Sequence, residues 1–195
     1  MKAVLISIQP KWCELIASGK KTVEARKTKP KLETPFKCYI YCTKDNTFAE
    51  KTLRGFDENG KAIYYKANKG KVIGEFVCND IYHYRYTKPF LYYGKKMYHT
   101  NEHCTKACLS WQELEDYLGN KDGYGWFISD LVIYDEPMDL GDFKLPCDNE
   151  NDCGTCKRAI YCSSTRRFCR CDLEDGLKRP PQSWCYVERS NENAE

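Results

Sequence analysis

The residues best suited to binding or catalysis lie in a short basic stretch near the amino terminus. Residues 20–31 carry six lysines and arginines against a single acid, Glu24. Clustered positive charge of this kind is the electrostatic footprint of a phosphate or carboxylate ligand. We therefore predict a ligand site here; the simpler alternative is a lysine-rich face that only contacts solvent.

Three side chains of this stretch have complementary chemistry. The guanidinium of Arg26 can hold a phosphate or carboxylate through two parallel hydrogen bonds, and Glu24 can accept from an exocyclic amine or orient the arginine. Lys21 can neutralise negative charge or, once deprotonated, act as a nucleophile. The alternative is that Glu24 and Arg26 form a same-face strand pair that contributes about 0.2–1 kcal/mol.

Short elements must position these side chains. Residues 4–8 form an apolar run that suits a buried strand, and Pro10 suits the first turn of a helix that extends to Ser18. A strand over residues 22–27 is predicted next. Its alternation places Glu24 and Arg26 on one face, which would line a surface or a cleft.

The rest of the chain alternates strand signals with turn-rich segments. Ser110 and Glu113 form a capping box that opens a second helix, and Asn59-Gly60 predicts a hairpin turn within the polar segment 44–69. Runs of β-forming residues predict strands at residues 38–42, 70–84, 126–134 and 179–188. About five or six strands with two short helices predict a small mixed barrel.

The composition favours a single soluble domain. A chain of 195 residues can bury a sizeable core, and its 30% of charged residues exclude a membrane protein. The net charge of +3 is too small to indicate nucleic acid by itself. Because the first apolar run is short and is interrupted by Pro10, we expect no secretion signal and a cytoplasmic location. The thirteen cysteines would then be thiols or metal ligands.

Residues 146–176 differ from the rest of the chain, because they contain six cysteines and few large aliphatic residues. We interpret them as an insert before the last strand. The spacing of Cys153 and Cys156 suits one half of a four-thiolate zinc site. The predicted ligands are Cys147, Cys153, Cys156 and Cys171, with Cys169 as a substitute and Cys162 as a spare. This structural zinc would fold a segment that is otherwise too small and polar; the alternative is a loop of free thiols.

The run Gly19-Lys20-Lys21-Thr22-Val23-Glu24-Ala25-Arg26 reads G-x-K-x-x-E-x-R. It resembles the signature of ASCH domains, members of the PUA-like β-barrel superfamily, and further likeness lies in residues 70–76, 125–131 and 179–184. The resemblance implies an α+β fold, a small mixed PUA-like pseudo-β-barrel with two or more short helices. We therefore predict one domain over residues 1–190, interrupted by the cysteine-rich insert and followed by a polar tail at 191–195.

For function, the resemblance implies binding of RNA or of a modified nucleoside or nucleotide. The predicted ligand-binding residues are Lys20, Lys21, Glu24 and Arg26, in one basic cleft. We expect no membrane partner. An alternative is a protein–protein adaptor that binds its partner through the cysteine-rich lobe.

The resemblance also implies an enzyme alternative, because some small members are amidohydrolases that act on acylated cytidine with a lysine, a threonine and a glutamate. Lys21 and Thr22 match the start of their motif, whereas Glu24 replaces their catalytic threonine. The catalytic candidates are Lys21, Thr22 and Glu24, with Glu102 as a further carboxylate. In this version Lys21 attacks or activates an acylated pyrimidine nucleoside, and Thr22 or Glu24 assists proton transfer.

Overall fold

The computed structural model describes residues 2–44, 52–56, 62–66, 69–85, 100–119, 121–146, 159–162, 167–171 and 176–189. The strands are β1 (Ala3–Ile8), β2 (Val23–Arg26), β3 (Phe36–Cys42), β4 (Thr52–Phe56), β5 (Ala62–Lys66), β6 (Val72–Cys78), β7 (Ile81–Tyr84), β8 (Gly123–Phe127), β9 (Ser129–Met138), β10 (Phe143–Lys144), β11 (Ala159–Cys162), β12 (Arg167–Cys171) and β13 (Trp184–Arg189). The helices are α1 (Pro10–Ala17), α2 (Thr100–Lys106), α3 (Trp111–Leu118) and a short 3-10 helix (Leu140–Asp142).

The strands form one large sheet and three small ones. Six strands pair in the order β10-β13-β1-β3-β6-β9, in which β1 and β3 are parallel and the other pairs antiparallel. A second, antiparallel sheet has the order β2-β8-β7, while β4 pairs with β5 and β11 with β12. Sheets with a few short helices confirm the predicted α+β class.

Strand β1 lies at the centre of the core, and all six of its residues are buried. Since successive side chains of a strand point to opposite faces, Val4 and Ile6 pack in a cluster with α1 and with Trp126 of β8, whereas Leu5 packs with Phe143 on the other face. Trp126 thus joins the two larger sheets. This packing brings β2, β1 and the start of α1 together around one region.

The local helix signals are confirmed. Pro10 is the first residue of α1, and Gly19 just beyond its end has the left-handed φ of 70°. At α3, Ser110 and Glu113 exchange both capping-box hydrogen bonds. The left-handed Gly119 ends that helix.

The structure has more strands than the sequence predicted. Residues 70–84 divide into β6 and β7, and residues 126–134 divide between β8 and β9. In each case one strand, β6 or β9, joins the six-stranded sheet, and the other, β7 or β8, joins the three-stranded sheet. Strands β4 and β5 lie within the polar segment 44–69, but Asn59 and Gly60 lie outside the described residues. No helix in the described part of the chain is long and apolar enough to cross a bilayer.

Candidate functional site

Three charged side chains from the basic stretch are buried together. Lys21, Glu24 and Arg26 are only 2%, 6% and 7% exposed. The Glu24 carboxylate lies between the two cations, with Oε2 3.3 Å from Nζ of Lys21 and Oε1 3.0 Å from a terminal nitrogen of Arg26. The group, which we call the charged triad, carries two positive charges and one negative charge.

Arg26 ties strand β2 to β1 and to the segment before β13. One terminal nitrogen donates to the Ser7 carbonyl at 2.6 Å, and the other lies 3.4 Å from the Ser183 hydroxyl. The Ser7 hydroxyl in turn donates to the Pro181 carbonyl at 2.6 Å, and its amide donates to the Ser183 carbonyl at 2.9 Å. The guanidinium is therefore held in one orientation by three separate parts of the chain.

Lys21 is held from the opposite side. Its ammonium donates to the Ala107 carbonyl at 2.6 Å and lies 4.9 Å from the ring centroid of Trp12. The backbone around it is fixed as well, because the Lys21 amide donates to Leu15 and the Thr22 amide donates to Lys106, both at 2.9 Å. Both contacts of the ammonium suit the charged form of the side chain.

The charged triad forms part of the wall of a cavity of about 930 Å³. The cavity is lined by Ser7, Ile8, Gln9, Lys11, Trp12, Lys21, Glu24, Ala25, Arg26, Lys27, Thr28, Thr43, Leu109, Glu113, Asp116, Tyr117, Gln182 and Ser183. Cations and acids both occur in this wall, and two aromatic rings accompany them. Such a volume is large enough for a small organic ligand.

Two polar atoms of the charged triad have no hydrogen-bond partner among the described residues. They are Oε2 of Glu24, which can accept, and Nε of Arg26, which can donate. Buried polar groups are nearly always hydrogen-bonded to protein or to water. Both atoms are themselves buried, and Oε2 has the Lys21 ammonium 3.3 Å away as its ion-pair partner, so neither atom is directly open to the cavity.

The family model of the ASCH domain matches residues 6–117, which is more than half of the chain. The chain belongs to the ASCH domain family. The matched range contains the charged triad, α1 and all of α3 except its last residue, Leu118. No curated protein matches this ASCH domain.

Among solved structures, this ASCH domain is similar to three crystal structures of one protein, ASCH from Zymomonas mobilis. The first is 22% identical, with a TM-score of 0.48, and covers 71% of this chain and 73% of that one. A tyrosine-to-phenylalanine mutant is 21% identical, with a TM-score of 0.45 and coverage of 72% and 77%. A serine-to-alanine mutant is 20% identical, with a TM-score of 0.45 and coverage of 71% and 74%.

The other predicted site residues of this ASCH domain do not line the cavity. Lys20 is exposed, and its carbonyl accepts from the Cys108 thiol. Thr22 contributes its backbone to two hydrogen bonds. Glu102 is exposed on α2 and pairs with Lys106 at 2.6 Å, so its carboxylate is engaged away from Lys21 and the cavity wall.

Several residues of the cavity were not predicted from the sequence. Tyr117 lies beside Arg26, and burial raises the pKa of its phenol although the arginine opposes the shift. Its ring also lies 5.2 Å from the ammonium of Lys27. Ser183 comes from the motif at residues 179–184, which was noted for its likeness to the family. For Ser7 and the Ala107 carbonyl the sequence carries no such signal.

The predicted zinc ligands fall mostly outside the described residues. Cys147, Cys153 and Cys156 are among those not described, and Cys171 lies at the end of β12 opposite Ala159 of β11. Within the described side chains no group of three His, Cys, Asp or Glu could hold a metal ion. The thiol of Cys78 is buried, and this burial raises its pKa to about 12.

Proposed function

We propose that this ASCH domain binds RNA or a modified nucleotide in the cavity around the charged triad. The observation that carries the proposal is the burial of Lys21, Glu24 and Arg26 together at the wall of a cavity of about 930 Å³. The net positive charge of the triad favours an anionic ligand. RNA binding is also what the family resemblance implies.

Each part of a nucleotide would meet suitable chemistry in this cavity. Arg26 and Lys27 offer donors to a phosphate. Glu24 offers a carboxylate oxygen to an exocyclic amine, and the rings of Trp12 and Tyr117 offer faces on which a base can stack, a contact worth about 1–3 kcal/mol per base. A nucleotide with an unpaired base can use all three contacts.

The geometry favours binding over the amidohydrolase alternative. A lysine nucleophile needs a free lone pair, whereas the nitrogen of Lys21 donates to the Ala107 carbonyl and faces Glu24. Thr22 and Glu102 are not part of the cavity wall. Product analysis after incubation with acylated cytidine tests this alternative directly: a deacylated product that is lost in Lys21→Ala would favour the enzyme.

Binding is tested by titrating the protein with nucleoside monophosphates and short single-stranded RNAs. We expect Arg26→Ala and Tyr117→Ala to weaken binding at least tenfold while the RNA is recovered intact. Tyr117 is the second variant because this residue is 38% exposed, so its truncation should disturb the core less than the loss of the buried Arg26. Lys37→Ala is the control, since Lys37 pairs with Glu75 away from the cavity. If no nucleotide or RNA binds the wild-type protein, the proposal is wrong and the adaptor gains support.

We also propose that the cysteine-rich insert holds a structural zinc ion. Its ligands would be Cys147, Cys153, Cys156 and Cys171. The spacing of the thiols and the antiparallel pairing of β11 with β12 within the insert support it. We expect one zinc per chain by elemental analysis, lost in Cys153→Ser and retained in Cys108→Ser. Folded protein that is free of zinc would contradict this part of the proposal.

A further inference from the structure

Beyond the cavity, the chain continues from strand β2 into an exposed basic segment, residues 27–32. Lys27 and Thr28 line the cavity, so the segment begins at its rim. Lys27, Lys29 and Lys31 are all exposed. The segment therefore carries three ammonium groups outward from the rim.

The backbone of the basic segment is anchored between these lysines. Pro30 is buried, and Leu32 packs against the core cluster that contains Val4, Ile6 and Trp126. Trp184 donates from its indole to the Thr28 hydroxyl at 3.0 Å, and the Lys31 amide donates to the Tyr186 hydroxyl at 2.7 Å. The lysines thus project from a fixed support. Because an extended chain spans at most about 7 Å over two residues, the Cα atoms of successive lysines are no further apart than that.

The three lysines have no carboxylate partner among the described residues, where the ion pairs involve other cations. Lys27 and Lys29 instead lie over aromatic rings, 5.2 Å from the centroid of Tyr117 and 5.6 Å from that of Tyr124. A cation held on an aromatic face keeps its N–H donors free for an anion. Phosphate groups spaced along a strand match this arrangement.

An aromatic surface lies beside the basic segment. The rings of Tyr124 and His83 are stacked, with centroids 5.0 Å apart and planes 9° from parallel. His83 is exposed and pairs with Asp122 at 2.8 Å. The stacked pair stands on neighbouring strands β7 and β8, which makes it a rigid surface for a further base.

We propose that the natural ligand is single-stranded RNA, whose backbone leaves the cavity along the basic segment. One nucleotide occupies the cavity, the neighbouring phosphates contact Lys29 and Lys31, and the next base stacks on the His83–Tyr124 pair. This inference rests on the proposed function and extends it from a nucleotide to a strand. A duplex does not fit, because its bases are paired and stacked and cannot enter the cavity without leaving the helix.

The test compares two ligands and two double variants that remove the same charge. The ligands are a single-stranded RNA dodecamer and nucleoside monophosphates, titrated at several salt concentrations. Lys29→Ala/Lys31→Ala removes the lysines of the basic segment, and Lys37→Ala/Lys71→Ala removes two lysines that pair with Glu75 and Asp139. Thermal unfolding checks that both variants are folded.

We expect the first variant to bind the dodecamer at least tenfold more weakly and the monophosphates within twofold of wild type. The slope of log K against log salt for the dodecamer should fall by about 1.4, since each contact with single-stranded nucleic acid contributes about 0.7. The control variant should change neither value.

Three results would overturn the inference. In the first, Lys29→Ala/Lys31→Ala keeps the wild-type affinity and salt slope for the dodecamer, while Arg26→Ala weakens the binding of both ligands. The strand then does not follow the basic segment, although the proposed function stands. Equal losses for monophosphates and dodecamer would show that the lysines act on the cavity itself. If the wild-type protein binds neither ligand, the proposed function fails first.

Discussion

Replacement of Glu24 by glutamine removes one charge from the triad and keeps the shape of the side chain. In the native protein the carboxylate lies 3.3 Å from Lys21 and 3.0 Å from Arg26, and all three side chains are less than 9% exposed. Without it, two buried cations face one another with no anion between them. Removal of one partner from a buried ion pair costs about 3–5 kcal/mol.

We therefore expect Glu24→Gln to lower the free energy of unfolding by about 3–5 kcal/mol. That is a large share of the roughly 5–15 kcal/mol that stabilises a typical domain. For a chain of this length each kcal/mol corresponds to roughly 2–4 °C in Tm. Urea titration followed by circular dichroism measures the change, and an unchanged m-value shows that the comparison is between the same two states.

Glu102→Gln is the matched control. The substitution is the same, but Glu102 is paired with Lys106 on the exposed surface of α2, where solvent screens such pairs and they contribute little to stability. The reasoning would be refuted if Glu24→Gln were as mild as Glu102→Gln, because the carboxylate would then not be compensating two buried charges.

Three further predictions concern packing and titration. Gly125→Ala should destabilise by about 1–3 kcal/mol, because the added methyl would lie 2.7 Å from the Tyr84 hydroxyl; urea titration measures it, and a neutral result would contradict the close packing. Tyr84→Phe should not lower stability, since this buried hydroxyl has no hydrogen-bond partner in the described part of the chain, whereas Tyr134→Phe should cost about 1.5–3 kcal/mol because its hydroxyl donates to the Glu75 carboxylate at 2.6 Å. For Cys78 the folded pKa is raised to about 12, so the unfolded thiol loses its proton first and stability should fall as pH rises above about 8.5; unfolding measured at pH values on both sides of that point should show a smaller fall in Cys78→Ala.

Local signals in the sequence were sufficient for the elements around the site. The helix that begins at Pro10 and the capping box at Ser110 depend on neighbours within four residues, and both are confirmed. The alternation of β2 predicted Glu24 and Arg26 on one face, and their side chains pair at 3.0 Å, although Ala25 between them also lines the cavity. Each of these features is determined by backbone geometry that a few consecutive residues control.

The contacts that make the site were not predictable in the same way. The carbonyl that holds Lys21 is 86 residues away in the chain, and the hydroxyl next to Arg26 is 157 residues away. No periodicity carries information over such separations. The division of residues 70–84 into two strands has the same origin, because the two halves join different sheets whose partners lie elsewhere in the sequence.

The charged triad is an expensive feature for a fold to contain. Buried ion pairs can often be replaced by apolar residues of similar volume with a gain of about 1–4 kcal/mol. Here the replacement would also leave the carbonyls of Ser7 and Ala107 without their donors, at about 1–3 kcal/mol each. We therefore expect Lys21→Met/Glu24→Leu/Arg26→Met to be less destabilised than Glu24→Gln alone, because no buried charge remains uncompensated.

Stability and binding should separate in that triple variant. If the triad serves the fold, the variant should keep its ligands as long as it stays folded. If the triad serves the cavity, as we propose, the variant should unfold cooperatively, with a higher midpoint than Glu24→Gln, and yet bind neither monophosphates nor single-stranded RNA. If the triple variant is folded and binds RNA with wild-type affinity, the charged triad is not part of the binding site. There would then be no reason to look for the ligand in this cavity.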